Sequence, residues 1–260
     1  MATTTFDPVR AAHYLAEAHV QRSDYANLPE AIAPGTITDA YLVQDALREI
    51  WTPARGAIAG YKIATTTKVM QALMGIDHPC QGNIFAKTVH ASPAKLRLAD
   101  YINLVIECEL CVRLGTTLDA KTPYTAETVA GAIKGLIPAF ELIEDRRANY
   151  KQTKVHTLIA DNAWNAGVVL GPELAMKSGH DIDGIAGRLL VDGQETGGGK
   201  TDGPLGALAW VANLAVTRGR PLQAGQIVMT GSVLPTLPIK AGQKFEFTLD
   251  GIGTAVISAD

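Results

Sequence analysis

Segment 105–110, with the sequence VIECEL, constrains the fold most because it combines the apolar character of a buried strand with two carboxylates. On a strand successive side chains alternate between faces, so Glu107 and Glu109 point to one side and Cys108 to the other. The two acids then lie about 7 Å apart, from a rise of roughly 3.4 Å per residue. Because burying unpaired carboxylates costs several kcal/mol each, the pattern predicts either a bound cation or a face that is solvated or paired with Arg or Lys.

A third carboxylate stands inside another apolar segment, 137–144 (IPAFELIE). Glu141 lies in the middle of this predicted strand, and Glu144 and Asp145 follow it. Three oxygen donors from two strands, completed by waters, satisfy the octahedral coordination that Mg²⁺ or Mn²⁺ requires. The arginines at positions 146 and 147 could instead pair with these acids, so the ion-pair alternative stays open.

Composition and charge narrow the class of partner. The 260 residues are 47% hydrophobic and 19% charged, with 25 glycines, which is typical of a globular protein with a large core and many tight turns. The net charge of −3 provides no attraction for nucleic acid or for an anionic membrane. We therefore expect a small-molecule partner, with no nucleic acid and no membrane.

The N-terminal sequence and the cysteines favour a cytoplasmic protein. The first residues, MATTTFDPVR, lack the basic start and apolar core of a signal peptide, and no apolar run approaches the ~20 residues that span a bilayer. Three cysteines are too few for a disulfide scaffold. Cys108 and Cys111 form a C-x-x-C, but no second pair completes a zinc site, so we interpret them as buried thiols.

Helical signals dominate the N-terminal part. Asp7 and Pro8 predict the start of a helix that continues over 9–19, and apolar residues at helical spacing predict a second helix over 37–51. Beyond these helices, strand-forming residues prevail. The sequence therefore predicts two parts, an N-terminal helical cap over residues 1–55 and a β-rich domain over residues 56–260 that contains the candidate site.

Within the β-rich part, local signals predict several further elements. Helices are expected over 70–75, 125–133 and 205–218. Loops are expected over 77–82 and over the glycine-rich stretch 196–203, which contains no nucleotide-binding G-x-G-x-x-G.

Lys62 lies inside the apolar segment 60–68 (GYKIATTTK). A lysine in such a segment either extends its ammonium to water or faces a polar pocket. The segment alone leaves both interpretations open, and lysine is rarely buried without a partner.

Six motifs in this order resemble the fumarylacetoacetate hydrolase superfamily: GYKIATTTK, VIECEL, PAFELIEDR, ADNA, PLGALAWVANL and IVMTGS. The chain is most similar to the branch of 2-oxopent-4-enoate hydratases and 4-oxalocrotonate decarboxylases of aromatic meta-cleavage pathways, from about residue 37 to the C-terminus. The resemblance implies an α+β fold, with a mixed β-sheet roll around a metal site, outer helices and an N-terminal helical cap. We also expect a homo-oligomer.

The resemblance also implies roles for individual residues. Glu107, Glu109 and Glu141 would hold Mg²⁺ or Mn²⁺, and Lys62 would donate or accept protons in the active site. The motifs ADNA and IVMTGS, with the residue that follows ADNA, would supply the substrate-binding side chains Asp161, Asn162, Trp164, Thr230 and Ser232.

The chain departs from the hydratase pattern at three places. Trp164 and Asn165 stand where the hydratases have two serines. Cys80 stands where they have an acid that is thought to help hydration, and the segment 201–204 (TDGP) replaces L-G-H-P. These differences indicate a changed substrate.

The resemblance implies a metal-dependent lyase acting on a 2-oxo or 2-hydroxydienoic acid, either a 2-keto-4-pentenoate-type hydratase or a related 4-oxalocrotonate-type decarboxylase. One alternative is an acylpyruvate-type C–C bond hydrolase, which needs a base for the attacking water. Neither His13 nor His19 has a glutamate at the spacing expected of a His-Glu pair. An alternative of another class is a metal-binding scaffold without catalytic activity.

Overall fold

The chain forms strands joined by short helices and turns. The computed structural model describes residues 6–120 and 123–260. The α-helices in these ranges are α1 (Pro8–Val20), α2 (Ile37–Arg55), α3 (Lys68–Met74), α4 (Ala126–Ala130), α5 (Val155–Ala160) and α6 (Pro204–Thr217). The strands are β1 (Ile58–Ala64), β2 (Cys80–Phe85), β3 (Val89–Ala91), β4 (Ala94–Leu96), β5 (Leu104–Leu114), β6 (Ile133–Glu144), β7 (Asn165–Leu170), β8 (Leu174–Ala175), β9 (Ala186–Val191), β10 (Gln194–Lys200), β11 (Ile227–Ser232), β12 (Leu237–Pro238), β13 (Lys244–Leu249) and β14 (Gly253–Ala259). Short 3₁₀ turns lie at Ala86–Thr88, Leu98–Asp100 and Asn162–Trp164.

The strands form two mixed sheets. The larger, nine-stranded sheet has the order β2-β1-β11-β5-β6-β7-β3, with β12 paired to β5 and β8 paired to β6. The smaller has the order β10-β9-β13-β14-β4. The pairs β1/β11, β3/β7 and β4/β14 are parallel, while β5 and β6 form a long antiparallel pair at the centre of the larger sheet. The expected α+β fold with a mixed β-sheet is confirmed.

The alternation of β5 separates the core from the candidate site. Ile106, Cys108 and Leu110 point to one face and are fully buried in the largest hydrophobic cluster. This cluster joins the two sheets, with the rings of Phe140 on β6 and Phe247 on β13 6.1 Å apart. Each such buried apolar side chain stabilises the fold by about 1.5–3 kcal/mol. Because the other face of β5 is excluded from this core, it is available for the acids.

The first two helices begin as their sequence predicts. The Asp7 side chain accepts hydrogen bonds from the amides of the first turn of α1, and Thr36 forms a capping box with Asp39 at the start of α2. The predicted helix over 37–51 was too short, because α2 continues through Pro53 to Arg55. Proline lacks the N–H that would donate to the carbonyl four residues earlier. Because Pro53 lies in the last turn of α2, little of the helix follows this lost hydrogen bond. The division into a 1–55 cap and a 56–260 domain stays a prediction.

Three other predicted elements need correction. The helix expected over 125–133 ends at Ala130, and β6 begins at Ile133. Residues 80–82 belong to β2, and most of the expected glycine-rich loop over 196–203 belongs to β10, which pairs with β9. Glycine is poor in isolated strands, but here its missing side chain admits a close neighbour. A Cβ on Gly199 would stand 2.0 Å from the carbonyl oxygen of Val233.

The three cysteines are buried free thiols, as interpreted for Cys108 and Cys111. Among the helices in residues 6–120 and 123–260, none combines the length and apolar character that crossing a membrane requires.

Candidate functional site

Strands β5 and β6 bring the three predicted metal ligands together. Glu107 on β5 is directly opposite Glu141 on β6, and Glu109 follows on the same face of β5. One carboxylate oxygen from each residue lies within 4.8 Å of the others. Glu109 and Glu141 are fully buried, and Glu107 is partly exposed. Carboxylates from two neighbouring strands therefore converge on one point.

The hydrogen bonds of the buried glutamates are incomplete in a way that fits a cation. One oxygen of Glu109 accepts the amide of Gly231 at 2.8 Å, and Oε1 of Glu141 accepts Asn165 Nδ2 and Lys62 Nζ, both at 3.0 Å. The remaining oxygens, Glu109 Oε1 and Glu141 Oε2, are buried and have no hydrogen-bond partner among the described residues. An unsatisfied buried carboxylate oxygen is costly, and a divalent metal ion accepts such hard oxygen ligands.

The net negative charge of the site also favours a bound cation. Three carboxylates face one ammonium, Lys62, which is 3% exposed, so the fully ionised group carries a net charge of −2. Burial, reinforced by the neighbouring Glu141 and Glu107, raises the pKa of Glu109 well above its ordinary value. Burial also raises the pKa of Glu141, against the opposing effect of Lys62. A divalent cation would compensate this charge.

Lys62 is held by the glutamates. Burial acts to lower the pKa of its ammonium, but the attraction of Glu141 and Glu107 outweighs burial and raises it. A cation that neutralised these glutamates would remove this attraction and leave burial as the larger effect. The choice left open for Lys62 is thus decided by the structure, which places the ammonium in a polar pocket.

The raised pKa of Glu109 predicts a pH dependence of stability in the metal-free protein. The folded state holds a proton that the unfolded chain releases near a pKa of about 4.3. The free energy of unfolding should therefore fall as pH rises from about 5 toward neutral pH, because the folded state binds more protons over this interval. Lys62 does not titrate in this window, since its pKa is raised above an ordinary value near 10.4.

Thermal melts in EDTA at the two ends of this interval measure the effect. Glu109→Gln removes one of the two buried glutamates with a raised pKa and should weaken the dependence. A wild-type melting temperature that stays constant or rises, in the absence of metal, would contradict this prediction.

The other acids and arginines considered from the sequence have separate partners. Glu144 accepts the backbone amides of Ile102 and Asn103 through its two oxygens. Arg146 pairs with Asp161 at 2.6 Å, and Arg147 pairs with Asp24 on the surface at 2.7 Å. Within the described ranges neither arginine pairs with the three glutamates, so Lys62 is the cationic partner that the structure provides.

A cavity of about 510 Å³ opens beside the glutamates. Lys62 and Glu107 line it, together with hydroxyl residues such as Thr65 and Thr66. The remaining wall is mostly apolar and includes Met70, Met74, Ile143, Leu158, Trp164, Val233 and Leu234. A cavity of this size, with a mostly apolar wall and several polar groups, is typical of a small-molecule site.

Only two of the five predicted substrate-binding residues line this cavity, Trp164 and Ser232. Thr230 donates its hydroxyl to the carbonyl of Leu110, and Asn162 exchanges hydrogen bonds with Asn83. Asp161 lies in a different, smaller cavity. The polar groups of Asp161, Asn162 and Thr230 bond neighbouring residues in this structure, and the role of these three residues in substrate binding stays a prediction.

The segment that carries Trp164 has a strained backbone. Asn162, Ala163 and Trp164 have φ values of 55°, 47° and 59°, in the left-handed region that residues other than glycine rarely adopt. The bonds from Asn162 to Asn83 on β2 hold this turn against the sheet. A Cβ on Gly82 would meet the carbonyl oxygen of Asn162 at 2.6 Å, which explains a glycine inside β2. The turn places the Trp164 indole between the two cavities.

Sequence reasoning missed three contributors to the glutamate cluster. Asn165 and Gly231 donate to Glu141 and Glu109, and Thr236 donates its hydroxyl to Glu107. For Asn165 the sequence contained a signal, because an asparagine stands there in place of the serine of the resembling hydratases. Thr236 lies in a loop without a motif, so no local pattern indicated it.

Cys80 is fully buried, with its Sγ 3.4 Å from the Thr65 hydroxyl. Burial raises the pKa of its thiol. The residue is therefore a neutral thiol at neutral pH, and it does not replace the ionised acid of the resembling hydratases.

Comparison with known proteins identifies the family. Residues 76–257 match the model described as "Fumarylacetoacetate (FAA) hydrolase C-terminal". The chain belongs to the fumarylacetoacetate hydrolase family. All three glutamates of the cluster lie within the matched residues of this family member, whereas Lys62 precedes them.

Two hydratases align with most of the length of this chain. It is 30% identical over 247 residues to 2-keto-4-pentenoate hydratase 1 of Dechloromonas aromatica, covering 94% of the chain and 93% of the relative. It is 28% identical over 228 residues to 2-hydroxyhexa-2,4-dienoate hydratase of Comamonas testosteroni, covering 85% of the chain and 86% of the relative. The predicted hydratase branch is thereby confirmed.

A solved structure matches the fold over almost the entire chain. This is 4-oxalocrotonate decarboxylase from Pseudomonas putida G7, complexed with magnesium and adipate, with a TM-score of 0.89 at 24% identity and coverage of 97% of both chains. The mixed-sheet architecture is therefore that of the fumarylacetoacetate hydrolase fold.

Proposed function

We propose that the protein is a metal-dependent lyase that hydrates a 2-hydroxydienoic or 2-oxo acid, as a 2-keto-4-pentenoate-type hydratase of aromatic catabolism. The observation that carries this proposal is the pair of unpartnered buried oxygens, on Glu109 and Glu141, beside a buried lysine that lines a largely apolar cavity. The hydratases among the relatives support the same reaction class.

The proposed metal is Mg²⁺ or Mn²⁺, held by Glu107, Glu109 and Glu141. Solved structures of the same fold contain magnesium in the decarboxylase of Pseudomonas putida G7 and Mn²⁺ in fumarylpyruvate hydrolase from Pseudomonas aeruginosa. When bound, the cation supplies a Lewis acid that polarises the carboxylate and the 2-oxygen of the substrate.

Lys62 is proposed to move the proton between substrate carbons. Its Nζ lies 3.0 Å from Glu141 Oε1 and lines the cavity, so it reaches both the glutamate cluster and a bound acid. With the glutamates neutralised, burial would become the larger effect and lower the pKa of the ammonium, so that it gives up and regains a proton more readily.

The far end of the substrate is proposed to be uncharged. Among the described lining residues Lys62 is the one cation, and it is already paired with Glu141. A second carboxylate, as in 4-oxalocrotonate, would therefore find no unpaired cation among the described lining residues, many of which are apolar. This favours hydration of a monoacid over decarboxylation of a diacid.

The alternative C–C bond hydrolase is less consistent with this cavity. It needs a base for an attacking water, and none of the described lining residues is a histidine. His19 instead contacts Asp161 in the smaller cavity. A scaffold without activity would retain the metal site but would not exchange the C3 hydrogen of a 2-oxo acid for deuterium.

The test is a screen of 2-hydroxydienoates, oxalocrotonates and acylpyruvates with Mg²⁺ or Mn²⁺, before and after EDTA. We expect hydration of a 2-hydroxydienoate that EDTA abolishes and added metal restores. Full activity in a verified metal-free preparation would contradict the metal-dependent proposal, and turnover of acylpyruvates alone would replace the hydratase by the hydrolase.

Trp164 is expected to determine substrate size. Its indole lines the cavity where the resembling hydratases have a serine, so it offers an apolar wall in place of a hydroxyl. Trp164→Ser should shift the preference toward a small 2-hydroxypentadienoate over a bulkier analogue by about 1–3 kcal/mol in kcat/KM.

Measuring both substrates with wild type and variant decides the role of Trp164. The indole also packs edge-on against Tyr25 and Tyr150, at ring distances of 5.1 and 5.2 Å. A lowered melting temperature with an unchanged preference would therefore assign the residue to packing. Tyr25→Phe, which keeps the ring contact, is the matched control.

A cytoplasmic location and a homo-oligomeric assembly remain part of the proposal. Size-exclusion chromatography with light scattering measures the subunit number directly.

A further inference from the structure

A second cavity of about 210 Å³ lies between the N-terminal helices and the larger sheet. Its wall includes the ends of α1 and α2, the loop before β5 and the turn that carries Trp164. The volume accommodates about seven waters, or a small organic molecule, at ~30 Å³ per water. None of the three glutamates lines it.

Arg55 is the unusual residue of this cavity. Its guanidinium stacks on the Trp51 ring, 3.6 Å from the centroid, and lines the cavity. Burial lowers its pKa to about 10, although Asp161 acts in the opposite direction. Across residues 6–120 and 123–260, the Arg55 side chain makes no hydrogen bond and has no carboxylate within ion-pair distance. A desolvated guanidinium without a partner is costly, and an anion would offset that cost.

The acids around Arg55 are already engaged. Asp161 uses one oxygen for His19 Nε2 at 2.7 Å and the other for Arg146 at 2.6 Å. Glu144 accepts two backbone amides, as described above, and Asp100 pairs with Arg97 outside the cavity. None of these acids is therefore left to pair with Arg55.

Arg22 adds a second positive charge. Its guanidinium donates to the carbonyls of Asp100 and Tyr101, at 3.1 and 2.8 Å, and has no carboxylate partner in the part of the chain that the structure describes. Carbonyls satisfy its hydrogen bonds but not its charge. Arg22 and Arg55 are therefore two guanidiniums of this wall without a carboxylate partner among the described residues, whereas Arg146 is paired with Asp161. Of the acids in the wall, Glu144 likewise has no cationic partner in those residues.

We propose that this second cavity binds a small organic carboxylate. The planar guanidinium of Arg55 matches a carboxylate with two parallel hydrogen bonds, and the rings of Trp51 and Trp164 provide an apolar surface for a short carbon chain. Inorganic phosphate would leave that apolar surface uncovered. The volume suits an acid of about three to six carbons by the same allowance per water.

The second cavity is adjacent to the glutamate cluster. Trp164 lines both cavities, and Asn165 lines the second cavity while donating to Glu141. The two indoles in its wall, Trp51 and Trp164, make intrinsic fluorescence a direct readout of binding. The remaining tryptophan, Trp210, stacks near His78 and is not among the lining residues.

The experiment is a titration with butyrate, followed by calorimetry and tryptophan fluorescence, with Mg²⁺ present and after EDTA. Butyrate lacks the 2-oxygen that a metal-bound substrate would offer. We expect saturable binding of similar affinity in both conditions. Arg55→Gln should weaken binding about tenfold or more, the scale of a lost hydrogen bond to a charged group, and Arg55→Lys should retain part of it.

Arg188→Gln is the matched control, because Arg188 is an exposed arginine paired with Asp250 on the smaller sheet. It should leave butyrate binding unchanged. Binding that requires Mg²⁺, that survives in Arg55→Gln, or that is found for inorganic phosphate but not for butyrate would overturn the proposal. If Arg55→Gln does not fold, Arg55→Lys decides, since undiminished affinity there excludes recognition by the planar guanidinium. The outcome does not depend on which reaction the glutamate site catalyses.

Discussion

Glu141→Gln will lower the affinity for Mg²⁺ or Mn²⁺ by about a hundredfold or more, and turnover will fall with it. Loss of a residue that only supports a ligand already costs about 10–100-fold in metal affinity, so loss of a ligand itself should reach or exceed the upper end. In the wild-type protein Lys62 Nζ and Asn165 Nδ2 each lie 3.0 Å from Glu141 Oε1. Glutamine keeps the volume of the buried side chain, and its carbonyl oxygen can still accept both hydrogen bonds. The loss should therefore reflect the missing negative charge.

Glu144→Gln is the matched control, three residues further along β6. Its carboxylate accepts the amides of Ile102 and Asn103 and is not part of the glutamate cluster. This variant should lose some thermal stability but retain its metal affinity, which calorimetry with Mn²⁺ measures for both proteins. A larger loss of affinity in Glu144→Gln than in Glu141→Gln would mean that the metal is bound elsewhere.

Lys62→Met will reduce turnover by about a hundredfold or more, the usual scale of a lost general acid or base. The side chain is 3% exposed and lies beside the glutamate cluster, and methionine, which is one atom shorter and also unbranched, fills most of the same buried space. Metal binding should persist, because all three glutamates remain. The loss should appear in kcat, since the proposed role is proton transfer.

Lys68→Met provides the comparison within the same motif. Lys68 is exposed at the start of α3, with its Nζ 3.1 Å from Gln71 Oε1, and does not line the cavity. Its replacement should leave both kcat and metal affinity unchanged. Equal activity in Lys62→Met and wild type would show that Lys62 only neutralises Glu141.

Much of the glutamate cluster was predictable because it depends on local periodicity. Two glutamates separated by one residue on an apolar strand must share a face, and the opposite face must enter the core. The structure agrees, with Glu109 on one face of β5 and Ile106 in the core on the other. Helix starts at Asp7 and Thr36 are equally local, since each cap bonds amides within three residues.

Elements whose ends depend on distant neighbours were predicted poorly. Gly199 lies in β10 because its missing side chain allows the carbonyl of Val233 to approach, and β6 begins at Ile133 where it pairs with Leu114. These contacts join residues far apart in the chain. Local propensity favoured a loop and a helix there, and strand pairing prevailed over it.

The sequence by itself determined which face of β5 carries the acids and which enters the core, since alternation along a strand requires no other part of the chain. The tertiary structure alone decided where Lys62 and Asp161 point. Asp161 pairs with His19, 142 residues away, instead of facing the substrate cavity, and the pairing of β5 with β6 places Glu141 beside Glu107 and within reach of Lys62. A buried charge is costly unless it is paired with an opposite charge. Local periodicity cannot predict a partner that lies so far away in the sequence.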